Sequence, residues 1–489
     1  MGCVTALIPI TPLFLTVEGV SRHAERFMVL ATAVSRGKVA KGCTSMLRKR
    51  SMNNRDGQEK GTTFLEYLLY FAILTDMCFF YILPLPGMIA SNVTLWAKFG
   101  VFAVVVFICF YLLIKKGRSI GNVQITPLGI ILSILVLSSI IETIFTFVSY
   151  ASIDLLAPIK QGCYYSIPIL ALGFLSAFKQ RGDYRQLMNG ISCLCLIFMV
   201  VYVGTAAIYN FTGKMLVPDL LYGGGEAEIV NYQRGSGVRL YAIASLLPIS
   251  MLYAFIRIFW GKQISFRSIV FFTLVLVLGA VSLVYVNQSR VGIIAVFAAC
   301  FLPLIACKMG GSSSIKKLLI CLVVAFVLIE TGYVSTLLDS FFGSNAGGSY
   351  EGSSLARNYA TMHYLSEFIK NPIFGFGFIS GDSSFSNIVN GSAGIAYTSD
   401  VGFVGQMGNW GLLFVISYLL IVGRMVFIIA KSWKVQTPEH RAMMLSIIVY
   451  ILATTPTLIM FDSARIMICP LALAVFEFLY SSSGDENVL

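Results

Sequence analysis

Charged side chains are scarce in this chain of 489 residues: Asp, Glu, Lys and Arg make up 12% of it, against roughly 25% in an ordinary soluble domain. That shortage excludes a soluble globular enzyme. Histidine is scarcer still, with three residues, none paired at metal-ligand spacing, so a catalytic metal has no basis. No Walker A, GxSxG or HExxH pattern occurs, and ATP hydrolysis, serine hydrolysis and zincin chemistry therefore lack support. The period-2 alternation of outer-membrane strands is also missing, which argues against a β-barrel. Cysteine is present, eleven times, but mostly in or at the ends of apolar runs and without a disulfide framework or zinc spacing.

What the sequence has in abundance is apolar length. Hydrophobic residues make up 57% of it, the mean hydropathy is +0.82, and long apolar runs recur from about residue 63 to residue 480. Each run is near the roughly 20 residues that a helix needs to cross about 30 Å of hydrocarbon. The expectation is an all-α, polytopic integral membrane protein with about twelve spans, at 63–86, 97–114, 126–149, 163–178, 187–209, 240–260, 268–287, 291–307, 318–337, 401–429, 442–461 and 465–480.

The net charge of +12 is first a topology signal, because the cations lie between the apolar runs. Residues 21–60 carry ten Lys or Arg against three Asp or Glu, which keeps this N-terminal segment, 1–62, in the cytoplasm. The loops holding Lys115, Lys116 and Arg118, then Lys179, Arg181 and Arg185, then Lys262 and Arg267, then Lys308, Lys316 and Lys317, and finally Lys431, Lys434 and Arg441, all fall on that same side. Both termini, including the tail 481–489, are then inside. The apolar piece 6–17 contains two prolines and is too short to span; translation from Met46 or Met52 is expected.

Two outer loops, about 210–239 and 338–400, are too long to be simple connections and are expected to fold over the outer face. Within the second, Ser354 to Lys370 reads as an amphipathic helix with Leu355, Tyr359, Met362, Leu365 and Ile369 near helical spacing, stopped by Asn371-Pro372.

Arginine on the outer side is anomalous, since the positive-inside rule makes it scarce there. Arg234, Arg239, Arg290 and Arg357 are all placed outside. A guanidinium offers a rigid fork of donors suited to phosphate, so such a set suits a pyrophosphate at the membrane surface. Any one of them is equally explained by snorkelling or by pairing with Glu226, Glu228 or Glu351; four together favour function. Arg290, in Asn-Gln-Ser-Arg at a very tight outer turn, is the strongest single candidate, because polar residues wedged between apolar helices face an interior cavity rather than lipid. Asp400, where the long outer loop re-enters the membrane, suits a general base toward a sugar hydroxyl, although an N-cap is the plainer reading for Ser399 or Asp400. His363 is a further candidate. Asp76, Glu142 and Glu330 are intramembrane acids, of which Glu330, toward the outer face, is also placed to pair with an arginine.

In their order along the chain, Arg234-Gly-Ser-Gly, Gln288-Ser-Arg290, Arg357 ahead of Asn371-Pro-Ile-Phe-Gly-Phe-Gly-Phe378, and Ser399-Asp-Val-Gly-Phe leading to Gly408-Asn-Trp-Gly411 resemble the bacterial O-antigen polymerase and O-antigen ligase superfamily, over about 230–430. The resemblance implies a GT-C-like helical membrane glycosyltransferase of the inner membrane, active on its periplasmic face. It implies undecaprenyl-diphosphate-linked glycans as donor and acceptor, with no metal, cofactor or nucleic acid, and a flippase and a chain-length regulator as partners. Arg234, Arg290 and Arg357 would then hold the donor pyrophosphate as it leaves. Where ligases have a histidine this chain has Asp400, which favours a polymerase over a ligase. A transporter of lipid-linked glycans is the reading from another class, although no internal repeat supports it.

Overall fold

The computed structural model describes residues 63–77, 93–117, 126–150, 153–154, 156–213, 233–234, 237–238, 245–262, 264–287, 289–307, 351–379, 384–462 and 465–484. All of them fall in one compact unit, Thr62–Leu489. The basic segment 1–62 with Met46 and Met52, the expected span 318–337 with Glu330, and Arg239 lie outside the described residues.

Each of the remaining expected spans overlaps at least one of the described helices. These are α1 (Phe64–Asp76), α2 (Val93–Gly117), α3 (Pro127–Ser149), α4 (Leu156–Tyr164), α5 (Leu170–Arg181), α6 (Arg185–Thr212), α7 (Leu247–Trp260), α8 (Phe266–Val281), α9 (Arg290–Ala306), α10 (Glu351–Lys370), α11 (Ser386–Asn390), α12 (Gly402–Ser432), α13 (Pro438–Thr454) and α14 (Ile468–Gly484), of which α10 and α11 belong to the second long loop. Among the described residues, five segments are long and apolar enough to cross a membrane: Pro127–Ser149, Leu156–Arg181, Arg185–Thr212, Phe266–Asn287 and Gly402–Ser432. The protein is thus a helical membrane protein by the length and composition of these helices. Among the described residues the regular structure is all-helical, as expected, apart from one short pairing of extended residues. Gln233–Arg234 (β1) and Gly237–Val238 (β2) pair antiparallel, Gln233 opposite Val238.

The helix starts follow from local chemistry. Thr63 caps α1 with a reciprocal bond from Glu66, and Thr126, Ser265, Ser289 and Thr437 cap α3, α8, α9 and α13 through side-chain oxygens. At the centre lies α14, where Leu471 through Phe476 are 0% exposed; a helix apolar on every side belongs in the middle of a bundle. It packs most extensively on α5, while α13 packs on α9.

Three ion pairs gather at one end of the bundle. Arg181, in the last turn of α5, pairs with Glu66 in the first turn of α1. Glu439, in the first turn of α13, takes Arg185 at 3.0 Å and Arg257 at 2.7 Å. These are helix ends that the basic-loop pattern assigns to a single side, and the contacts put them together. Asp76 is the last residue of α1, at the end away from Glu66, and its Oδ2 accepts from Ser245 Oγ at 2.7 Å.

The long helix α12 is broken. Gly411 has φ 61° and ψ −143°, which only glycine adopts readily. The loop 371–379 fills the break and takes over its backbone hydrogen bonds: Phe376 and Gly377 donate to the carbonyls of Gly408 and Asn409 at 2.9 and 3.0 Å, and Leu412 donates to Pro372 at 2.8 Å. The alternation in Gly-Phe-Gly-Phe now has a reason. A Cβ on Gly375 would sit 2.2 Å from the Gly408 carbonyl oxygen, while Phe374 stacks on Phe145 at 4.4 Å and Phe378 packs edge-on to Trp410 at 5.1 Å. Phe378 also donates its amide to Thr146 Oγ1 at 2.8 Å, which ties the loop to α3. Beneath it, Glu142 is 0% exposed, and among the described residues neither carboxylate oxygen has a hydrogen-bond partner.

The helix α10 ends at Asn371-Pro372 as expected, but its faces are reversed. Met362, Ile369 and Leu355 are 71, 69 and 60% exposed, whereas Ala360 and Tyr364 are buried against α12. Close approach decides this: a Cβ on Gly408 would lie 2.8 Å from Tyr364 Cβ, so the helices meet where their side chains are small or flat. The outward apolar stripe runs on through exposed Ile373 to Leu412, Ile416 and Leu419 of α12, as one continuous band.

Candidate functional site at the far end of the bundle

Four segments carrying the sequence candidates are joined at the end opposite the ion pairs. The β1–β2 hairpin, which holds Arg234, lies against a π-helical turn, Ser282–Asn287, that continues α8. Two residues beyond that turn, Ser289 caps α9 by accepting from the Gly292 amide at 3.3 Å, and Arg290 is the first residue of that helix. A π-turn followed at once by a capped helix is the tight polar turn expected of Asn-Gln-Ser-Arg, and π segments recur at functional sites.

From α9 the connection passes to α13. A Cβ on Gly292 would lie 3.8 Å from Leu458 Cδ1, in the turn after α13, and that turn also receives the start of α12. Phe403 donates its amide to the Thr455 carbonyl at 3.0 Å, and Gly402, at φ 42°, allows the backbones to touch. Asp400 immediately precedes this junction, half-buried at the end of a 3-10 turn, Thr398–Asp400. The residue at the N-cap of α12 is Val401, with no side-chain cap, so neither Ser399 nor Asp400 plays the capping part that its type suggests.

The helix α10 packs on both α12 and the 398–400 turn. Arg357, Ala360 and Tyr364 fall on one helical face, with Arg357 exposed two turns from Tyr364. Tyr364 donates to the Val389 carbonyl at 2.8 Å; burial, and then the charge of nearby Asp400, push its phenol above the usual range.

Sequence reasoning thus places Arg234, Arg290, Arg357 and Asp400 on segments that the fold brings to one end. His363, the further candidate, sits elsewhere on α10. His363 is half-buried, and its Nε2 lies 2.8 Å from the Ile388 carbonyl oxygen, which ties α10 to α11. This is a structural task. His363→Ala is expected to cost about 1 kcal/mol of stability and to leave turnover within about twofold of wild type, as one neutral hydrogen bond would. Thermal unfolding and an activity assay on the same preparation check both halves; a loss of activity without a loss of stability would give the histidine a chemical role.

One group escaped the sequence reading. Arg465, in the short connection between α13 and α14, pairs with Asp462, whose carbonyl accepts from Tyr164 Oη at 2.6 Å. Its signal was the same breach of the positive-inside rule that marked the other arginines, hidden because the position was taken as the first residue of a span. Arg465 lines a small cavity together with Ser245, Asn287, Ser289, Tyr450 and Leu458.

A scan of the chain against protein-family models gave no match, and a search of curated proteins gave none.

Proposed function

We propose that this protein is a membrane glycosyltransferase that joins undecaprenyl-diphosphate-linked oligosaccharide repeat units into a polysaccharide, in the manner of the O-antigen and capsule polymerases it resembles. The observation that carries this reading is the gathering, at one end of an apolar helical bundle, of the segments bearing Arg234, Arg290, Arg357 and Asp400. In the full reading the bundle has about twelve spans in the inner membrane, and that end faces the periplasm.

The chemistry asks for two things. A lipid diphosphate leaving group carries negative charge that grows as the glycosidic bond breaks, and the arginines supply fixed, always-charged donors for it. The acceptor sugar hydroxyl must lose a proton as it attacks the anomeric carbon. Asp400, on a turn that packs against α10 and leads into α12, is the group we assign to take it. A single displacement of this kind inverts the anomeric centre. A chain-length regulator and a flippase are the partners that such a reaction requires.

Deleting the gene tests the reading directly, with surface glycan resolved on gels and the lipid-linked pool weighed by mass spectrometry. A surface glycan reduced to one repeat unit is the expected result. Full-length polymer stranded on undecaprenyl diphosphate would instead make the protein a ligase, and repeat units trapped on the cytoplasmic leaflet would make it a transporter.

A further inference from the structure

We infer that Arg465, held by Asp462, is a further diphosphate-binding residue, and that the cavity it lines between the start of α9 and the start of α14 receives the diphosphate of the lipid-linked donor. The inference rests on the proposed function for the identity of that donor. The cavity itself rests on geometry alone.

Three observations converge. The lining is polar where it meets the turn before α9: Asn287 and Ser289 flank the stretch that leads into Arg290, and Gly292 completes the rim. The guanidinium of Arg465 is 21% exposed, so it is largely withdrawn from solvent yet open to the cavity. Only its Nη1 is engaged, by Asp462 Oδ2; among the described residues its Nε and Nη2 have no hydrogen-bond partner. An arginine fixed on one side by a carboxylate, with its remaining donors free, is oriented to fork two oxygens of an anion. The start of α9, a helix of 17 residues, adds the positive end of its backbone dipole to the same space. The other acid nearby, Asp76, is turned to Ser245 and already accepts its hydroxyl.

Asp462 is then a positioning residue. Its backbone carbonyl is anchored by Tyr164 and its carboxylate aims the arginine, so the site is built from three parts of the chain. The lining is mixed, with Leu247, Pro248, Leu283 and Leu458 beside the polar side chains, and only the diphosphate is assigned to it.

The test is binding to the purified full chain in nanodiscs. Undecaprenyl diphosphate, undecaprenyl monophosphate and inorganic pyrophosphate are titrated separately. Wild type is expected to prefer the lipid diphosphate. Arg465→Ala is expected to weaken it by about tenfold to a hundredfold, the worth of hydrogen bonds to a charged group. Arg465→Lys keeps the charge and the pairing with Asp462 but loses the fork, so a severalfold weakening is expected with an unchanged unfolding midpoint. The lysine variant decides the matter if the alanine variant does not fold. Wild-type affinity in either folded variant would overturn the inference. Equal binding of inorganic pyrophosphate and the lipid would overturn the assignment to a lipid-linked ligand. No binding of any diphosphate by wild type would instead sink the proposed donor, and with it the function.

Discussion

Gly411→Ala is expected to destabilise the protein by about 3 kcal/mol or more, the range of a backbone forced into a region that only glycine tolerates. Two independent costs add at this position. The φ of 61° with ψ of −143° disfavours any Cβ, and a Cβ built there would meet the carbonyl carbon and oxygen of Ile373 at 2.4 Å. Both atoms belong to backbone, so no rotamer change relieves the contact. If the backbone instead straightens into a helix, Leu412 leaves Pro372, and the carbonyls of Gly408 and Asn409 leave the loop. Either route loosens the 371–379 loop from α12, and activity should fall with it. Gly423, in the same helix but facing open space, is the control: alanine there is expected to be neutral or to stabilise by about 0.5–1 kcal/mol. Thermal unfolding in detergent compares the two variants. Equal midpoints would mean that the break is no part of the working fold.

Arg290→Ala is expected to lower turnover by about a hundredfold to a thousandfold, the usual effect of removing one fixed donor from a developing negative charge. The fold should survive. Arg290 is the first residue of α9, where alanine is well tolerated, and Ser289 still accepts from the Gly292 amide to start the helix. Membrane levels and the unfolding midpoint should therefore match wild type while polymer formation from the purified lipid-linked substrate falls away. Arg290→Lys should recover only part of the rate, since a point charge cannot replace the planar fork. Normal turnover in the alanine variant, together with loss in His363→Ala, would reverse the assignment of roles.

Much of the architecture was legible because apolar length and basic loops are strong local signals. Segments such as 126–149 and 187–209 agree with Pro127–Ser149 and Arg185–Thr212 to within a few residues, since Thr126 and the glycine after α6 mark their ends. The face of α10 was not legible. Leu355, Met362 and Ile369 have the spacing of a core stripe, but in an apolar bundle the selection is reversed, and flat or small residues such as Ala360 take the close contact. The break at Gly411 was out of reach for a different reason. Gly-Asn-Trp-Gly was visible as a motif, but its partner lies some thirty-five residues earlier, at Pro372 through Gly377, and nothing in local periodicity joins the two. In the candidate site, the arginines stood out because the basic-loop pattern sets them apart from the other cations. Arg465 did not, because a boundary misplaced by a few residues hides a charge inside a span.

The broken helix also sets an order of events during synthesis. A chain made from its N-terminus delivers Asn371–Ile379 before any of α12 exists, so the amides of Phe376 and Gly377 must wait for carbonyls not yet made. The half of α12 beyond the break, 412–432, is about 31 Å long at 1.5 Å per residue and can enter a bilayer unaided. The half before it, 402–410, cannot complete its backbone bonding until the waiting loop closes on it. Assembly of the end that carries Asp400 is therefore late for this part of the chain, and a nascent protein stalled before Ser432 has made Asp400 but not Thr455, whose carbonyl anchors the start of α12.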